Sequence, residues 1–188
     1  SLADFFHSSH PARDKFLARL FGLFSEDLVR DWCNHPQAPF ADLGRPTLWA
    51  PDEPRGATLD FTLRDRRSGK TYAAEMKVEL EFDGYKYMTL ERLEQLAHHR
   101  LPAFQRFLEL AREPTAYEVR VKGKPMPVDG AILVWGAVSD KGREEVTRAT
   151  NLHDVLSLDA MLADLRAWQP PDYVERVRAL RLVANELF

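Results

Sequence analysis

The segments running from Thr58 to Leu63 and from Tyr72 to Glu79 alternate apolar with polar side chains, and Ser68-Gly69 lies between them. That pattern predicts a β-hairpin. One face carries Leu59, Phe61, Leu63, Ala74, Met76, Val78 and Leu80, an apolar surface that must be buried. A slip of one residue would turn this set into water, so the pairing tolerates only slips of two. The other face carries Asp60, Glu75 and Lys77. If Ser68-Gly69 is a two-residue loop, Arg67 pairs with Lys70, Arg64 with Ala73, Phe61 with Met76 and Asp60 with Lys77. Glu75 then lies diagonal to Asp60, within reach of a common metal ion.

A salt bridge on a solvated face would also account for this trio. A second observation favours chemistry. An aspartate, a gap crossing a turn and then Glu75-Met76-Lys77, with Gly56 four residues ahead of Asp60, resembles the PD-(D/E)XK nuclease superfamily. The motif match covers about residues 45 to 80. Asp52, in a literal Pro-Asp pair, is a rival for the first acid. Its surroundings, Ala50-Pro51-Asp52-Glu53-Pro54-Arg55-Gly56, read as a loop, so Asp60 is preferred on strand position and Asp52 stays open.

At 188 residues with 45% hydrophobic content the chain reads as one domain over 1–188, able to bury a core without staples. Cys33 is the single cysteine, which excludes an internal disulfide and a cysteine-rich zinc site. His7, His10, His35, His98 and His99 fall at no zinc-ligand spacing. No signal peptide or spanning apolar run is visible, so no membrane and a cytoplasmic setting are expected. Serine-hydrolase elbows, phosphate-cradling glycine loops and dinucleotide fingerprints are missing from the sequence. The net charge of −3 argues against binding of nucleic acid through overall charge. Local clusters remain, at Arg64, Arg66, Arg67 and Lys70 and at Arg120, Lys122 and Lys124.

Apolar residues at helical spacing predict a long helix from Pro11 to His35, with Asp27 and Asp31 bordering its stripe and Glu26 turned to solvent. Thr47 to Ala50 reads as a strand. Tyr87 to Arg100 and Ala103 to Arg112 read as helices broken by Pro102, the first carrying Arg92, Gln95 and His99 on a polar stripe that could touch a phosphate backbone. Val119 and Val121 mark another strand. Ala131 to Val138 is a nearly unbroken apolar run, a strand buried on both faces. A helix over 143–150, a strand over 153–158 and helices over 159–168 and 172–187 complete the chain. The class is mixed α/β, a central mixed sheet flanked by helices with extra helices at the C-terminus.

The resemblance implies a restriction-endonuclease-like core and metal-dependent hydrolysis of phosphodiesters in nucleic acid, DNA before RNA. Asp60 and Glu75 would bind Mg²⁺, for which Mn²⁺ can substitute, together with the Met76 carbonyl. Lys77 would orient or deprotonate the attacking water. Asp27 and Gln95 are accessory candidates through the resemblance, and Arg64, Arg92 and His99 are candidate nucleic-acid contacts. A homodimer would suit double-strand cutting. The alternative is a module that keeps the fold and binds nucleic acid or protein without cleaving.

Overall fold

The computed structural model describes residues 13–51, 53–81, 86–97 and 99–187, with side chains over 24–51, 53–79, 86–97 and 99–182. Asp52 and His98 lie outside the described residues. Helix α1 is Arg13–Asn34, as its periodicity predicts. It leads into β1 (Phe40–Asp42) and β2 (Pro46–Trp49), then β3 (Ala57–Thr58), β4 (Phe61–Asp65) and β5 (Thr71–Lys77). After the short strands β6 (Leu80–Glu81), β7 (Lys86–Tyr87) and β8 (Thr89–Leu90), a 3₁₀ turn at Leu93–Leu96 precedes α2 (Pro102–Arg112). Strands β9 (Glu118–Val121), β10 (Lys124–Pro125), β11 (Gly130–Trp135) and β12 (Ala137–Val138) lead to α3 (Asp140–Thr150). The chain ends with β13 (Asp154–Ser157), α4 (Leu158–Trp168) and α5 (Pro171–Leu187).

The fold is mixed α/β. Its main sheet has the order β1-β4-β5-β11-β13, antiparallel from β1 to β5 and parallel from β5 to β13. A second sheet has the order β10-β9-β2-β3. Helices α1, α4 and α5 cover one face of the main sheet, where Val29, Trp32, Met161, Leu165 and Tyr173 meet Phe61, Leu63, Ala74, Met76, Ile132 and Val134. Helices α2 and α3 cover the other, where Phe104, Phe107, Leu110 and Val146 meet Ala73, Leu133, Trp135 and Val155. β11 is buried throughout, as an apolar run between two parallel neighbours should be. No helix among the described residues is long and apolar enough to cross a membrane.

The hairpin forms with a register shifted by two. Phe61 pairs with Ala74, Thr62 with Ala73, Leu63 with Tyr72 and Arg64 with Thr71. Asp65 causes the shift. Its carboxylate accepts from the Arg67 N–H at 2.7 Å and from the Ser68 hydroxyl at 2.7 Å, while Gly69 donates to its carbonyl at 2.9 Å with φ +74°. An aspartate capping its own turn makes a four-residue loop, Arg66 to Gly69, rather than a two-residue one. Because the slip is even, the buried and polar sets keep their faces.

Two expectations fail at the ends of the hairpin. The stretch from Thr58 to Leu63 is not one strand: Thr58 pairs with Thr47 in the second sheet, and the chain bends at Asp60 before entering the first. Leu59 therefore packs with Leu48 in the core under α2, not with Phe61. The predicted helix from Tyr87 to Arg100 is replaced by two short strands and the 3₁₀ turn. Leu90 pairs with Val138, the Trp135 indole donates to the Met88 carbonyl at 3.0 Å, and the Ser139 hydroxyl donates to the Leu90 carbonyl at 3.0 Å. These ties to β11 and α3 override helical spacing.

Gly142 permits that docking. A Cβ there would lie 2.1 Å from the Leu90 carbonyl oxygen, a backbone atom. Gly142→Ala is therefore expected to destabilise by about 2 kcal/mol, the overpacking cost exceeding the roughly 1 kcal/mol helix-propensity gain. Urea unfolding measures it; a variant as stable as the parent would contradict the close approach.

Candidate active site

Continuing the observed register by one places Asp60 beside Glu75, with Lys77 two residues further on the same face. This face is not solvated. Glu75 is 7% exposed and Asp60 is half-buried, because α2 and the second sheet close over β5. The two carboxylates are forced together where β4 ends.

Each acid has defined partners. The bend leaves the Met76 N–H without a β4 carbonyl, and Asp60 Oδ2 accepts it at 2.8 Å. Since the N–H and C=O of a strand residue point to the same side, the Met76 carbonyl also points toward Asp60. Asp60 Oδ1 faces Arg45 Nη2 at 3.4 Å. Lys77 Nζ donates to Glu75 Oε1 at 2.5 Å and stands 5.3 Å above the Phe104 ring.

Burial pushes both acids up. For Glu75, desolvation and then the Asp60 charge outweigh Lys77 and Arg45, and its carboxyl titrates at about 7. Asp60 is also raised, by burial first, against the Met76 N–H that favours its ionised form; Glu26 adds to the rise. Two desolvated carboxylates side by side make a place where positive charge is favoured.

The accessory candidates fall in other places. Asp27 Oδ2 accepts from Arg176 of α5 at 2.9 Å, and Asp31 takes the same guanidinium at 2.7 and 3.1 Å. The α1 acid whose charge reaches Asp60 is Glu26, held by Arg30 at 2.9 Å, which corrects its expected position in solvent. The inner stripe over this half of α1 runs through Ser25, Val29, Trp32 and Cys33, so a buried serine hides the true face. Gln95 accepts from the Glu91 and Arg92 N–H groups at 2.8 and 3.1 Å and donates to the Thr89 carbonyl at 2.9 Å, bracing the 3₁₀ turn.

With no helix over 87–100, the expected stripe of Arg92, Gln95 and His99 does not form. Arg92 is exposed, whereas His99 meets Glu79 at 3.2 Å and packs edge-on against Phe104 and Trp135. His99 thus stands on the same ring as Lys77. Arg64 pairs with Thr71, four residues before Glu75 and about 13 Å along the strand. Arg45, beside Asp60, is a residue that sequence reasoning missed; between Gly44 and Pro46 it belongs to no periodic element and gives no signal.

Among the described residues, no three His, Cys, Asp or Glu side chains gather closely enough to hold a metal ion by themselves. The donors on offer are two carboxylates and a backbone carbonyl, hard oxygens that suit Mg²⁺ or Mn²⁺, which keep several waters, and do not suit zinc. The open groove of about 470 Å³ between α4 and α5, lined by Arg166, Arg178 and Arg181, does not include the acids. The acidic pair instead sits where β4 ends beside β5. Compared with family models, curated proteins and solved structures, the chain matches none.

Proposed function

We propose that this chain is a Mg²⁺-dependent nuclease that hydrolyses phosphodiester bonds, in DNA before RNA, on a restriction-endonuclease-like core. One observation carries the reading: Asp60 and Glu75 are desolvated side by side at the end of a strand pair, with Glu75 raised to about 7 and the Lys77 ammonium against it. Two adjacent carboxyls that burial still raises despite these partners cost stability when ionised, and binding a divalent cation is the chemistry that would relieve it. The helix before the hairpin, the antiparallel β4–β5 pair and the parallel β11 support the same core.

In this reading Asp60, Glu75 and the Met76 carbonyl would hold the metal. A bound Mg²⁺ would acidify its water and neutralise charge building on the phosphoryl oxygens. Lys77, fixed by Glu75 and the Phe104 ring, orients the attacking water and stabilises negative charge as the bond to phosphorus forms. Glu75 must lose its proton for this arrangement, so activity is expected to rise with pH through about 7.

The alternative, a non-catalytic binding module, is favoured by the ion pairs that Lys77 and Arg45 already make with the two acids. Plasmid, single-stranded DNA and RNA incubated with Mg²⁺ or Mn²⁺, with Lys77→Ala as the control, decide between them. Cleavage that depends on metal and falls about 10²-fold or more in Lys77→Ala is expected. No cleavage and no calorimetric Mg²⁺ or Mn²⁺ binding at millimolar metal would leave the module.

A further inference from the structure

We propose that Arg45 is the phosphate-binding residue of this site, exchanging its contact with Asp60 for the backbone phosphate of a nucleic-acid strand laid across the acids. The inference rests on the nuclease reading above and names the group that receives the substrate.

The cations around Asp60 and Glu75 are not equivalent. Lys77 is largely buried and bound to Glu75. Arg30 is committed to Glu26 and Asp27 at 2.9 and 3.2 Å. Arg45 alone of the three is more than half exposed, with 53% of its side chain accessible. Its two polar contacts among the described residues, Nη2 to Asp60 Oδ1 and Nε to the Leu59 carbonyl, are both 3.4 Å, at the long limit of hydrogen bonding.

The backbone beneath it is fixed. Leu43 donates to the Thr62 carbonyl at 2.8 Å, Gly44 donates to Asp42 Oδ1 at 2.9 Å with φ +115°, and Pro46 accepts from the Leu59 N–H at 2.9 Å. A half-exposed guanidinium on a rigid base, held to Asp60 only through a 3.4 Å contact, is pre-positioned beside the two acids. Its planar fork matches two phosphate oxygens, a geometry lysine cannot offer. Once Asp60 Oδ1 turns to a cation, the guanidinium is released toward the charge that the substrate brings.

The test measures binding of a fluorescein-labelled single-stranded DNA in Mg²⁺ across a salt series, in a Lys77→Ala background whose cleavage is expected to be about 10²-fold slower or more. Arg45→Ala is expected to weaken binding about 10-fold or more and to reduce the slope of log K against log salt by about 0.7, one phosphate contact fewer. Arg45→Lys is expected to restore the slope but not the full affinity, and to raise KM more than it lowers kcat in otherwise unmodified protein. Unchanged affinity and slope in Arg45→Ala overturn the inference while the nuclease reading stands. If the unsubstituted chain neither binds nor cleaves DNA or RNA, the reading it rests on falls, and the inference with it.

Discussion

Replacement of Glu75 by glutamine is expected to lower metal-dependent cleavage by about 10²–10³-fold and metal affinity by about 10-fold or more, without loss of folding stability. The combination separates a metal ligand from a structural acid. The Glu75 carboxyl titrates at about 7 in the folded chain against 4.5 ordinarily, so the folded state holds its proton more tightly than the unfolded state. Its contribution to stability is therefore complete below about pH 4.5, declines as the pH rises to 7 and is gone above. Glutamine does not ionise and keeps that contribution at every pH. Parent and variant should accordingly diverge in urea unfolding between pH 5 and pH 8, with the variant gaining at the higher pH.

Mg²⁺ should narrow the gap. At a concentration of 100 Kd it stabilises the parent by about 2.7 kcal/mol at pH 8, and Glu75→Gln, with a Kd about 10-fold higher, by about 1.4 kcal/mol or less. Because proton and cation compete for the same carboxylate, that gain should shrink as the pH falls below 7. A variant that cleaves like the parent, or a parent that Mg²⁺ fails to stabilise at pH 8, would refute the assignment of Glu75.

The legible part of this site was parity. Apolar residues at every second position fix which side of β4 and β5 is buried, and any register consistent with burial keeps Asp60, Glu75 and Lys77 on one face. Which of them meet is a different question, settled by Asp65 capping its turn through side-chain hydrogen bonds that periodicity does not encode. Long helices were legible for the same reason that parity was: α1, α2, α4 and α5 carry several turns of consistent spacing. The segment from Tyr87 to Arg100 has that spacing too, yet Leu90, Met88 and Trp135 pair it to the end of β11, a contact between residues almost fifty apart in sequence. The closely approached Gly136 and Gly142 were the available sign, since each leaves room for this segment's backbone or its Tyr87 side chain. The face of α1 turned on Ser25, which is polar in composition and 1% exposed in place.

The largest stability effect is expected at Phe104. Its ring is fully buried on α2, stacked with Phe107 at 5.6 Å, met edge-on by His99 at 5.4 Å and capped by the Lys77 ammonium at 5.3 Å. Truncation to alanine removes that packing and leaves a cavity between α2 and the sheet, a cost of about 3–5 kcal/mol. In a domain whose whole stability is about 5–15 kcal/mol, the variant should be marginal at 37 °C. Phe104→Leu retains most of the volume and should cost about 1.5 kcal/mol or less, but it offers Lys77 no aromatic face. Urea unfolding separates the packing loss in the alanine variant from the milder loss in leucine. Cleavage assays on the folded leucine variant then isolate the ring's hold on Lys77, expected as a rate reduction of up to about 5-fold, from about 1 kcal/mol of lost cation–π attraction. An alanine variant as stable as the parent would deny Phe104 its place in the core; a leucine variant cleaving at the parental rate would show that Glu75 alone positions the ammonium.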